Sequence, residues 1–143
     1  MKLIIAGSRT ITDIEFLINT LKYFTISKNS IKEIISGGAN GVDFLGEYLA
    51  KHSEIKLVKF PADWDAYGRS AGYIRNKEMG NYGTALLAIQ KDNSRGTQHM
   101  IDIMIKNNKK VFVCYVKEQL KRKLNKKVKV EEYVNIIKYK EYN

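Results

Sequence analysis

Four segments of this sequence gather residue types that hold phosphates. Gly7-Ser8-Arg9 follows a short apolar run. Glycine there allows close backbone approach, serine offers a hydroxyl, and arginine grips a phosphate through its planar fork. The simpler reading is a turn before a capped helix. Ser36-Gly37-Gly38-Ala39-Asn40-Gly41 sets three glycines within five residues, ahead of a helical pattern. That is the composition of an anion cradle, in which free backbone N–H groups and the helix dipole face negative charge. It matches neither Gly-x-Gly-x-x-Gly nor the Gly-Lys-Ser/Thr of a P-loop. Asp43 falls in the first helical turn, where capping is its simpler role and a hydrogen bond to a ribose hydroxyl its functional one. Trp64, the single tryptophan, either stacks on a base or packs partly buried. Arg75 and Asn76 stand beside Ile74 and are expected to face a cleft. Ser94-Arg95-Gly96-Thr97 forms a second cradle candidate at another helix start.

Residues for bond-breaking chemistry are few. His52 and His99 do not make a metal-binding pair, and His52 is expected to be exposed near a helix end. No spaced carboxylate set suggests a metal centre, and no Ser-His-Asp order can be argued. The expectation is a site with no catalytic residues, no metal and no cofactor.

The elements positioning these segments alternate at regular spacing. Strands are expected at 2–6, 32–35, 56–60, 84–89 and 110–116. Helices are expected after Thr12 or Asp13, then over 41–51, 69–81 and 95–106. The last helix would bury Met100, Ile101, Met104 and Ile105. Alternation of this kind means a parallel sheet covered by helices on both faces. The expected fold is therefore α/β, a Rossmann-like doubly wound sheet of about five strands, with ligands bound beyond the carboxyl ends of the strands. Residues 1–116 make one domain. Residues 117–143 form a basic extension that is too charged for core at Lys121-Arg122-Lys123 and Lys126-Lys127, with a final amphipathic helix or strand in 130–142.

Composition narrows the classes. The chain has 143 residues, 44% hydrophobic and 28% charged, which fits neither disorder nor a membrane protein. The lone Cys114 rules out a disulfide framework and, with the absence of secretory or membrane signals, leads us to expect a cytoplasmic protein without membrane contact. Net charge is +10, half of it in the last 27 residues. The simple reading of that bias is a solvated tail; the sharper one is attraction to phosphate-bearing partners.

Taken together, Gly7-Ser8-Arg9, Ser36-Gly37-Gly38-Ala39 with Gly41 and Asp43, Trp64 with Gly68, Ala71-Gly72, Arg75-Asn76 with Met79, and Gly96-Thr97 resemble the YspA/YpsA-like branch of the SLOG superfamily over residues 1–116. Relatives include the Lonely Guy (LOG) phosphoribohydrolases, the DNA-processing protein A fold and SLOG sensor domains of antiviral systems. The resemblance implies a nucleotide or nucleotide-derived ligand and a homodimer or higher homo-oligomer. LOG enzymes carry an Arg-Lys pair ahead of a Met, and a Pro-Gly-Gly-x-Gly-Thr-x-x-Glu loop. Here Arg75 matches the Arg, Asn76 replaces the Lys, and Met100 stands where the catalytic Glu belongs. Methionine cannot polarise water or accept a proton, so the expectation is binding without turnover unless Asp43 or Asp92 substitutes.

The leading expectation is thus a binding protein for an ADP-ribose-like, NAD-like or cyclic nucleotide signal. It would act as a sensor or a sequestering sponge, in antiviral signalling or its evasion. A LOG-like N-glycosidase is the alternative. Single-stranded DNA binding through the basic tail and the nine tyrosines ranks third.

Overall fold

The computed structural model describes residues 1–125 and 128–143. Six strands form one sheet in the order β3-β2-β1-β4-β5-β6. They are β1 (Lys2–Gly7), β2 (Glu33–Ser36), β3 (Lys56–Lys59), β4 (Ala85–Lys91), β5 (Lys110–Asn125) and β6 (Val128–Tyr142). The first five run parallel, and β6 returns antiparallel along β5. β1, β2 and β4 are almost wholly buried, as expected for strands covered on both faces.

Five helices connect the strands: α1 (Ile14–Tyr23), α2 (Val42–His52), the single-turn α3 (Trp64–Tyr67), α4 (Ala71–Tyr82) and α5 (Arg95–Lys106). Two apolar clusters show how they divide. On one face Leu17 and Leu21 of α1 and Val42 and Leu45 of α2 pack on Leu3, Ile5 and Leu87. On the other, Met79 of α4 and Met100, Ile101 and Met104 of α5 pack on Ile4, Leu86 and Val113. Side chains alternate across each strand, so successive residues of β1 feed opposite clusters. The fold is the expected Rossmann-like α/β arrangement with helices on both faces.

Local chemistry explains the boundaries. Asp13 caps α1 by accepting from the Glu15 amide at 3.0 Å. The helix expected over 69–81 is split instead. Asp63 caps α3, a 3₁₀ turn covers Gly68–Ser70, and α4 begins at Ala71. Gly68 takes φ +53°, which makes the break. Ile105, expected in the α5 core stripe, is 40% exposed because the stripe ends at Met104.

The sixth strand is the larger difference from expectation. β5 continues well past Val116, and the final amphipathic segment, open between helix and strand from the sequence, is a strand. Tyr139 of β6 stacks on Tyr23 of α1 at 3.7 Å, and the Tyr142 and Tyr115 hydroxyls meet at 2.9 Å. Lys126 and Lys127 of the expected basic cluster lie outside the described residues. Among the described residues no helix is long and apolar enough to cross a membrane.

Candidate functional site at the strand switch point

The sheet changes direction between β1 and β4. β2 and β3 extend from one side of that pair, and β5 and β6 from the other. Loops leaving β1 and β4 therefore splay apart and open a crevice beyond their carboxyl ends. A cavity of about 600 Å³ occupies that place. Of the residues singled out from the sequence, Gly7, Ser8, Arg9, Ala39, Asp43, Arg75, Asn76, Ser94, Gly96 and Thr97 line it.

The β1 loop is pinned to its neighbours by close packing. A side chain on Gly7 would meet the Ile89 carbonyl at 2.3 Å. Gly41 takes φ +75°, and a Cβ there would lie 2.3 Å from the Ser8 carbonyl oxygen. Only glycine satisfies both the conformation and the contact. Ser8 uses its hydroxyl structurally, accepting from the Lys91 amide at 2.7 Å and so joining β1 to the end of β4.

The glycine-rich segment after β2 is arranged differently from the expected open cradle. The Ser36 hydroxyl donates to Glu47 at 2.7 Å and accepts from the Gly38 amide at 3.0 Å. The Asp43 carboxylate accepts from the Ala39 amide at 3.2 Å, and the Val42 amide donates to the Ser8 carbonyl at 3.2 Å. These donors are turned inward. Ser36, Gly37, Gly38, Asn40 and Gly41 do not line the cavity, whereas Ala39 and Asp43 do.

The loop before α5 does present donors. Ser94 is the N-cap of α5 and its side chain bonds no helix amide. Its hydroxyl lies 3.2 Å from that of Thr97. The first-turn amides of an α-helix have no intrahelical acceptor, so those of Arg95, Gly96 and Thr97 are available there. The Arg95 side chain itself is exposed and does not line the cavity. Neither does Trp64, which is 55% exposed on α3 with its ring edge towards Gly72.

Arg75 and Asn76 hold the wall between the two loops. The Arg75 guanidinium donates to the Gly37 carbonyl, and its Nε donates to Asn76 Oδ1 at 3.1 Å. Asn76 Nδ2 lies 3.1 Å from His99 Nδ1 and donates weakly to the Gly96 carbonyl at 3.4 Å. Asn76 thus ties α4 to α5 across the crevice.

Electrostatics in the crevice are under-compensated. Burial pushes the Asp43 carboxyl above its usual range, against the opposing pull of the Ala39 amide and Arg75. Burial lowers Arg75, Asp43 opposes that, and the nearby Arg9 lowers it further. Among the described residues Asp43 and Arg75 form no ion pair, and the Arg9 side chain has no hydrogen-bond or ion-pair partner. Two guanidiniums that repel one another across a shared space favour an anion between them. Lys91 also lines the cavity, though it pairs with Glu118 at 3.7 Å.

Ala6, Thr10, Met79 and Lys91 were not among the ligand-binding residues expected from the sequence, yet all four line the cavity, as do Asp92, weighed as a substitute acid, and Met100, the residue at the LOG glutamate position. Lys91 and Asp92 could have been found from their place at the carboxyl end of β4, on the far side of the switch point. Met79 and Met100 are stripe residues whose inner ends floor the crevice. No group of three His, Cys, Asp or Glu residues placed to hold a metal occurs among the described residues.

The fold and its crevice define a Rossmann-like α/β protein with a polar cleft at the strand switch point. Residues 1–67 match the family model described as YAcAr, the YspA, cpYpsA-related SLOG family. Over these residues the chain is similar to the YspA/YpsA-like branch of the SLOG superfamily, the branch whose motifs the sequence resembles. Neither the curated proteins nor the solved structures gave a match.

Proposed function

We propose that the switch-point cleft binds a phosphate-bearing, nucleotide-derived small molecule, of the ADP-ribose, NAD or cyclic nucleotide kind, and does not turn it over. The observation that carries this reading is the convergence of Arg9, Arg75 and the first turn of α5 on one cavity of about 600 Å³. Guanidiniums and free helix amides suit phosphate oxygens, and the volume falls within the range of about 300–1,000 Å³ usual for small-ligand sites. Met79 and Met100 supply an apolar floor on which a base or ribose can rest. Met100 also occupies the position of the LOG glutamate, which supports retention over hydrolysis. In this reading the protein senses or sequesters a nucleotide signal, and antiviral signalling or its evasion is the setting in which such sequestration has an effect. Titration calorimetry with ADP-ribose, NAD and a cyclic dinucleotide tests it. At least one should bind, and Arg9→Ala should weaken that binding at least tenfold without changing the unfolding midpoint.

A second reading, nucleotide N-glycosidase activity, is favoured by one observation: Asp43 and Asp92 both line the cavity. A carboxyl with raised affinity for its proton, as at Asp43, is a candidate general acid. Release of free base on incubation with a nucleoside monophosphate, lost in Asp43→Asn or Asp92→Asn, would establish it.

A further inference from the structure

Beyond Val116 the helical layers end, but β5 and β6 continue as a two-stranded ribbon. Its root is anchored, since Tyr139 packs on α1 and Tyr142 reaches Tyr115. Among the described residues, the next stretch outward, 133–138, makes no such side-chain stacking or hydrogen bond. Tyr133 is 65% exposed, Ile136 40% and Ile137 39%. An isolated two-stranded ribbon is marginal in water, and a third strand is what stabilises it.

β6 is also an edge of the sheet. The opposite edge, β3, is only four residues long and ends in Lys56 and Lys59, which discourages further pairing. β6 carries neither device over 133–137, which reads Tyr-Val-Asn-Ile-Ile.

The order of side chains around Asn135 is self-complementary. An antiparallel pairing of two β6 strands centred on Asn135 sets Glu132 opposite Lys138, Tyr133 opposite Ile137 and Val134 opposite Ile136, each twice by symmetry. Strand alternation then sorts these pairs by face. One face holds the Val134–Ile136 contacts, closed at each end by a Glu132–Lys138 pair. The other holds the Tyr133–Ile137 contacts around the two Asn135 side chains. Other registers lose this match. A one-residue shift sets Tyr133 opposite Lys138 and Asn135 opposite Ile136, and a two-residue shift sets Val134 opposite Lys138.

From this charge and side-chain complementarity at an unpartnered edge, we infer that β6 pairs with β6 of a second copy of this chain, in antiparallel register centred on Asn135. The sheet then continues through the dimer as twelve strands, and the ribbons become a four-stranded layer. The inference is independent of what the cleft binds.

Light scattering and cysteine cross-linking on the full chain test it. The wild type should have twice the chain mass. Lys138→Glu sets like charges opposite each other at both ends and should weaken the dimer at least tenfold. Asn135→Cys, the position facing itself across the two-fold, should form a disulfide-linked dimer on air oxidation, while Tyr133→Cys, which faces Ile137, should not. Cys114 is fully buried and does not compete. A monomeric wild type, including one that instead binds single-stranded DNA through residues 117–143, overturns the inference. So does a dimer insensitive to Lys138→Glu that Asn135→Cys fails to link.

Discussion

The Arg75 guanidinium donates to the backbone carbonyl of Gly37, joining α4 to the end of β2 across the edge of the cleft. Gly37 is glycine for that reason, since a Cβ there would lie 2.7 Å from Arg75 Nη1 and 3.1 Å from Asp43 Oδ2. Gly37→Ala should therefore displace Arg75 while leaving the sheet intact. The expected result is a loss of ligand affinity of about tenfold, the scale of one charge-assisted hydrogen bond. Titration against the best-binding nucleotide, with circular dichroism as the control for folding, measures it.

Gly96 offers the opposite case. It lines the cavity and a Cβ there meets nothing within 4 Å. Its backbone is helical, so replacing glycine removes a helix penalty of about 1 kcal/mol. Gly96→Leu should keep or raise the unfolding midpoint yet fill the space a ligand needs. Thermal unfolding and ligand titration on the same sample should move in opposite directions.

Asp43 separates binding from catalysis. Its ionised form is disfavoured by burial, so its folded proton affinity exceeds the ordinary one. The proton-linked part of its stability is present at low pH and is lost as pH rises through the folded value. Asn keeps an oxygen to accept from the Ala39 amide and carries no charge. Asp43→Asn should be as stable as the wild type at neutral pH, or more so, in urea unfolding. No product should form from a nucleoside monophosphate in the wild type, in this variant or in Asp92→Asn.

His99 makes stability respond to mild acid. Burial lowers its proton affinity below the ordinary 6.5, Lys77 lowers it further, and Asp102 opposes both. Its contribution is complete above the unfolded value and is lost as pH falls through the folded one, because the unfolded chain takes the proton first. Protonation also removes the Nδ1 acceptor facing Asn76. The drop in urea midpoint between pH 7.5 and pH 5.5 should be smaller in His99→Gln.

Much of the fold was legible because its signals are local. Apolar runs ending in glycine marked β1 and β2, and the Asp13 cap marked α1. The strand after Val116 was not, because its charged residues disguise a ribbon whose pairing partners lie three to nineteen residues on, in the returning strand. In the cleft, Gly7, Arg9, Asn76 and Gly96 were visible as polar or small residues at strand and helix ends. The backbone amides after β2 were read as donors for a ligand, but Ser36 takes that of Gly38 and Asp43 that of Ala39 for the loop itself. Spacing alone does not say which acceptor wins. Met79 and Lys91 were missed because their place in the cleft depends on α4 and α5 meeting over β4, a tertiary fact.

The most direct test of the binding account is mass spectrometry of the full chain incubated with AMP, ADP-ribose, NAD and cyclic ADP-ribose, analysing protein-bound and free fractions separately. The account predicts that one of these is retained intact and released unchanged on heating. Free base with ribose phosphate, or no retention of any of them, would contradict it.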